Sequence, residues 1–161
     1  MNKSSLHKHI PIVVLIVVLV TSCNNQKKII SELGSVLQNK SSKLGIDFNK
    51  KEVLVIIPRT GCSDCIGTAD LYYKEASYDP SRIQFVFTRI QSVKTLKIRM
   101  GKDIVRKEFV HIDSESRFST GKLHSIYPLI VRLEEGEIKG IEYLSPDKKN
   151  LIDELRDRVS L

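Results

Sequence analysis

Between Lys51 and Ser77 the chain sets its own strongest constraint. The apolar run Val53-Leu54-Val55-Ile56-Ile57 is broken by Pro58 to Gly61, and Cys62-Ser63-Asp64-Cys65 then opens a helical stretch, Ile66 to Ser77. Five consecutive aliphatic residues without polar alternation describe a strand buried on both faces. Ile66, Ala69, Tyr72, Tyr73 and Ala76 recur at helical spacing. Two thiols three residues apart at a helix start can close a disulfide without moving the backbone. The first also sits where unsatisfied backbone N–H groups and the helix dipole stabilise a thiolate.

The same alternation continues downstream. Asp79-Pro80-Ser81 reads as a turn, Ile83 to Thr88 as a second strand, and Ser92 to Met100 as a short helix stopped by Gly101. Glu108 to Ile112 reads as a short strand and Ser114 to Ser125 as a loop. Leu129 to Leu133 is a further buried-strand pattern, Glu135-Gly136 a hairpin signal and Ile138 to Leu144 the return strand. Ser145-Pro146-Asp147 is expected to cap a last helix whose buried face carries Leu151, Ile152, Leu155 and Val159. Strands alternating with helices imply parallel crossovers, and a terminal hairpin adds antiparallel strands. The expected class is α/β, with a mixed central sheet flanked by helices on both faces.

The first part of the chain reads differently. Lys3 and Lys8 form a positive n-region, and Ile10 to Val20 is apolar apart from Pro11. Its 11 residues fall short of the roughly 20 needed to span a bilayer, so residues 1–22 are expected to be a signal peptide. Val20-Thr21-Ser22-Cys23 resembles a bacterial lipobox, which implies cleavage before Cys23 and its acylation with fatty acids such as palmitate. The alternative is an ordinary secreted protein with Cys23 a stray thiol. The chain holds three cysteines, and acylating Cys23 leaves one pair, Cys62 and Cys65. Export also carries that pair to a compartment where disulfides form. Residues 23–49 then read as a lipid-anchored tether with a short amphipathic helix (Ile29, Ile30, Leu33, Val36, Leu37), and residues 50–161 as the domain.

Without the leader the chain carries 24 basic and 19 acidic residues, about +5. Lys94, Lys97, Arg99, Lys102, Arg106 and Lys107 supply much of that excess. The ordinary reading is a solvated helix face; the alternatives are contact with anionic lipid or an acidic partner. Few aromatics interleave with these residues, and an exported lipoprotein rarely meets nucleic acid, so no nucleic-acid partner is expected.

Cys62 is the candidate attacking thiolate, and Cys65, about one turn later on the same face, the resolving thiol. Asp64 either disfavours the Cys62 thiolate by its charge or serves only as an acid in the first helical turn, whereas Arg59, three residues before Cys62, is placed to favour the thiolate. Rival readings of the pair are half a zinc site, a copper site or a structural disulfide. Zinc takes four ligands here, and His111 and His124 would have to complete the set. No resident metal is expected, and so short a disulfide loop removes little unfolded-state entropy.

These features resemble the thioredoxin superfamily and, more narrowly, the membrane-anchored extracytoplasmic thiol–disulfide oxidoreductases of the TlpA/ResA kind. The resemblance covers roughly residues 50–161. It rests on the motif after a central strand, on Ile126-Tyr127-Pro128-Leu129 before a later strand, and on the hairpin Leu133-Glu134-Glu135-Gly136-Glu137-Ile138 with its closing helix. It implies a thioredoxin-like three-layer sandwich, a redox-active Cys62–Cys65 disulfide with no other cofactor, and protein thiols or disulfides as partners. It further implies a cis Pro128 beside the pair and a Tyr127 backbone that pairs with an extended substrate segment. A bacterial lipoprotein held at the extracytoplasmic or periplasmic face of a membrane is the implied location. Two positions depart from the family pattern: Gly61 stands where an aromatic is usual, and Ile56 where a buried carboxylate serves proton transfer. The competing reading is a redox-inactive partner-binding module on the same fold, or a copper or zinc carrier.

Overall fold

The computed structural model describes residues 26–38, 46–75, 77–119 and 126–160. The unbroken aliphatic run becomes β1 (Val53–Pro58), with every side chain buried. Its backbone pairs on both sides. β2 (Ile83–Thr88) lies parallel to it, from Val53 opposite Ile83 to Pro58 opposite Thr88. β4 (Leu129–Glu134) lies antiparallel on the other flank. β3 (Val110–Asp113) extends the sheet parallel to β2, and β5 (Glu137–Tyr143) closes the far edge against β4. The order is β3-β2-β1-β4-β5.

Two crossovers connect the parallel strands: α2 (Ser63–Glu75) joins β1 to β2, and α3 (Val93–Met100) joins β2 to β3. Both steps run in one direction across the sheet. The right-handed rule for such crossovers therefore puts both helices on one face. Val53, Val55 and Ile57 of β1 pack there against Ile66, Ala69 and Tyr73 of α2 and Leu96 and Met100 of α3. The C-terminal helix α4 (Leu151–Val159) adds Leu151, Ile152, Leu155 and Val159 to the same layer. Leu54 and Ile56 point the other way. They meet Phe118 and a helix at 26–38, α1, which buries Ile29, Leu33 and Leu37. The amphipathic helix expected before residue 50 thus forms one layer of the fold. The whole is a thioredoxin-like α/β sandwich: a mixed five-stranded sheet between helical layers.

Turn chemistry fixes the ends. Glu135 and Gly136 adopt φ of +51° and +79°, the two left-handed residues of a type I′ hairpin, and Glu134 pairs with Glu137 across it. Ser92 caps α3, its hydroxyl accepting from Thr95 N, and Gly101 ends it at φ +108°. Tyr78 donates its hydroxyl to the Tyr73 carbonyl at 2.7 Å and bridges Ser160 beyond α4, which ties the ends of α2 and α4 together. The last helix begins later than its sequence suggests. Ser145-Pro146-Asp147 forms a turn, with Lys148 N donating to the Ser145 carbonyl at 2.9 Å, and Asn150 is the residue that precedes the first helical turn.

Candidate functional site

The disulfide motif sits at the C-terminal end of β1, where the chain turns into α2. Cys62 is the residue that caps the helix. Its carbonyl accepts the first helical hydrogen bond, from Ile66 N at 3.0 Å, and its sulfur accepts from Cys65 N at 3.3 Å. A sulfur held on the third N–H of a helix is where negative charge is best stabilised. Cys62 and Cys65 are joined by a disulfide, with Cα atoms 5.4 Å apart. Cys62 is half-buried, whereas Cys65 is only 5% exposed. The exposure therefore separates a more accessible cysteine from a sheltered one.

Gly61 has a physical explanation. Its φ is +137°, and a Cβ there would run into the backbone of Ile126. Next to it, Cys62 N donates to the Ile126 carbonyl at 2.9 Å. The motif is thereby stitched to the segment that leads into β4, and the close approach leaves no room for an aromatic before the first cysteine. Ile126 itself is 44% exposed beside the motif. Nothing local in the sequence announces this pairing; only the glycine hints at a close approach of backbone.

Tyr127 and Pro128 follow directly, so the structure brings that segment to the cysteine pair. Tyr127 is half-buried and Pro128 buried. The expected cis bond is absent: no peptide bond among the described residues is cis, and Tyr127–Pro128 is trans. Pro128 opens β4 one residue before the first ladder pair, Leu129 opposite Ile56, where its missing N–H breaks no ladder bond. Its carbonyl accepts from Leu144 N at 2.9 Å. The backbone contact to the motif comes instead from Ile126.

Comparison of the chain with family models, curated proteins and solved structures finds no match. The chemistry therefore rests on the residues themselves. Arg59 has a partner the sequence reading missed. Its guanidinium grips both carboxylate oxygens of Asp70 on α2, at 2.7 and 3.1 Å, and lies 5.8 Å from the centre of the Phe87 ring. The two side chains are 8% and 11% exposed. The cation near Cys62 is thus compensated by a carboxylate and serves to clamp the loop onto the helix; Arg59 N also donates to the Thr88 carbonyl at 3.0 Å. The signal was available: Asp70 follows Ile66 and Ala69 on the buried side of α2, where a lone charge demands a partner. Asp64 is exposed in the first turn of α2 and accepts from the Ser63 hydroxyl at 3.4 Å.

Ile56 is fully buried among Leu54, Val86 and Leu129, on the face that α1 covers. A second buried carboxylate, Asp113, belongs to the end of β3. It accepts from Thr88 Oγ1 at 2.7 Å, Arg117 N at 3.0 Å and Phe118 N at 2.9 Å, and so seats Phe118 in the core. Among the described residues, no three His, Cys, Asp or Glu side chains converge on one point. His111 packs its ring against Phe118, and burial pushes its imidazole below the ordinary histidine range. His124 and Cys23 lie outside the described residues. No described helix is long and apolar enough to cross a membrane.

Proposed function

We propose that this chain is a lipid-anchored thiol–disulfide oxidoreductase acting on protein disulfides at the extracytoplasmic face of a bacterial membrane. The observation that carries the reading is the asymmetry of the pair: a half-buried Cys62 on the helix N-terminus and a buried Cys65 bonded to it. In the reduced protein the Cys62 thiolate attacks one sulfur of a substrate disulfide. That bond breaks, a mixed disulfide forms, and the first substrate sulfur leaves as a thiolate that takes up a proton. Cys65 then loses its proton and attacks Cys62 Sγ, which releases the second substrate sulfur. Two electrons and two protons pass to the substrate, and the Cys62–Cys65 disulfide remains. A dithiol partner then reduces this disulfide back to the two thiols and is itself oxidised, and the same steps run backwards for substrate oxidation. The reduction potential sets the direction.

Ile126, whose carbonyl accepts from Cys62 N, and the Tyr127 that follows it supply the shoulder for an extended substrate segment. Cys23 would carry the lipid. The assay is disulfide exchange with a protein substrate. Cys62→Ser abolishes turnover, and Cys65→Ser accumulates a mixed disulfide through Cys62. Full exchange activity in Cys62→Ser would overturn the reading. The buried Ile56, in place of an acid that could move the Cys65 proton, favours a second reading, a binding module that keeps its disulfide for structure. Titration in a glutathione buffer separates the two, because such a module does not exchange the pair.

A further inference from the structure

We propose that the outward face of α3, with the short segment that follows it, docks on an anionic lipid bilayer. α3 is anchored by Leu96 and Met100, both buried in the core. At 3.6 residues per turn, Ile98 lies half a turn from their mean direction. It stands at the outer pole of the helix and is 75% exposed. Val105, one short turn beyond Gly101, is 41% exposed. The same stretch carries Lys94, Arg99, Lys102 and Arg106, all exposed. None of the four has a carboxylate within ion-pair distance among the described residues. The stretch 93–107 holds one acid, Asp103, and it pairs with Lys107 at 3.7 Å. Lys107 is further held over the rings of Tyr73 and Phe109.

The charge names the sign of the partner, and the aliphatic residues name its kind. A solvated lysine face has no use for an isoleucine at its pole, and an acidic protein would be satisfied by the cations alone. Cations in one stretch with exposed aliphatic side chains fit a headgroup layer with acyl chains beneath it. Arg99 shares a hollow with Arg59, but among the described residues Lys94, Ile98, Lys102 and Arg106 make no hydrogen bond to the cysteine motif, so substituting them leaves the exchange chemistry in place. This inference relies on the proposed lipid anchor only for bringing a bilayer within reach.

The test uses the chain from residue 23 onward with Cys23→Ser, so that no lipid contributes. Binding is measured by co-sedimentation with phosphatidylglycerol–phosphatidylcholine vesicles and with phosphatidylcholine vesicles alone. Binding to the anionic vesicles only, weakened by salt, is expected. A basic residue near such a surface contributes about five-fold in partitioning, so Lys94→Gln/Lys102→Gln/Arg106→Gln should lose on the order of a hundred-fold. Ile98→Ser, with all charges intact, should lose several-fold. Both variants should keep parental exchange activity, which reports that they fold. Equal binding to neutral vesicles, or unchanged binding by the triple variant, overturns the proposal. So does displacement from the vesicles by polyglutamate with no effect of Ile98→Ser, which would assign the patch to an acidic protein. Failure of Cys23 to acquire lipid in cells would remove the anchor and leave this measurement standing.

Discussion

Replacing Asp70 with asparagine tests whether the Arg59–Asp70 pair holds the site together. Exposed ion pairs contribute about 0–1 kcal/mol, but this pair is nine-tenths buried and bidentate, at 2.7 and 3.1 Å. Asp70→Asn keeps the shape and removes the charge, so the guanidinium is left buried and uncompensated. Breaking a buried pair from one side costs about 3–5 kcal/mol, a large part of the roughly 5–15 kcal/mol that holds a domain folded. At about 2 kcal/mol per molar urea, the unfolding midpoint should fall by roughly 2 M. Replacing both partners with apolar residues, Arg59→Met with Asp70→Leu, should recover most of that loss, because no charge is then stranded. A loss below about 1 kcal/mol in Asp70→Asn, or a double variant no better than the single one, would refute the argument.

Two further outcomes follow from the geometry. Gly61→Ala forces a side chain into a φ of +137° and against the Ile126 backbone, which should cost at least about 1–3 kcal/mol and slow exchange through Cys62. A parental melting temperature would remove the stitch between the motif and the β4 approach. Alkaline unfolding should be governed by the tyrosines. Burial pushes Tyr72 up to about 12 from an ordinary value of 10.0 and raises Tyr73, Tyr78 and Tyr143 as well. Between those limits the folded protein keeps the Tyr72 proton and the unfolded chain releases it. Stability is therefore full below pH 10 and falls by about 1.4 kcal/mol per pH unit towards 12 for that group alone. Tyr72→Phe should flatten the decline, as followed by urea unfolding across that range.

The parts of this fold that could be read from sequence are those whose cause is local. β1 is expected at Val53 to Ile57 because an uninterrupted apolar run has few other homes, and β2 at Ile83 to Thr88 because Phe85, Val86 and Phe87 favour a strand. Glu135-Gly136 marked the hairpin because few other residues accept two left-handed positions in a row. The cysteine pair was legible because its spacing and its place at a helix start fall within four residues. α4 misled because Ser145-Pro146-Asp147 has the composition of a cap yet satisfies its own backbone in a turn, Lys148 N to Ser145 O. Both are local solutions open to the same residue types.

What escaped the sequence is long-range pairing around the site, and each instance left a local oddity behind. An acid on the buried side of α2 stood for the Arg59 clamp. A glycine where the resemblance implied an aromatic stood for the Ile126 carbonyl. The cis Pro128 failed for a related reason. It was carried over as a property of one bond, whereas the isomer belongs to the packing between the motif and the β4 approach. Here that packing is supplied by Gly61 and the Cys62 N–H to Ile126 bond. Restoring bulk at position 61 should therefore disturb the 126–128 segment as much as the cysteines, because Gly61 and the Ile126 backbone occupy one close contact.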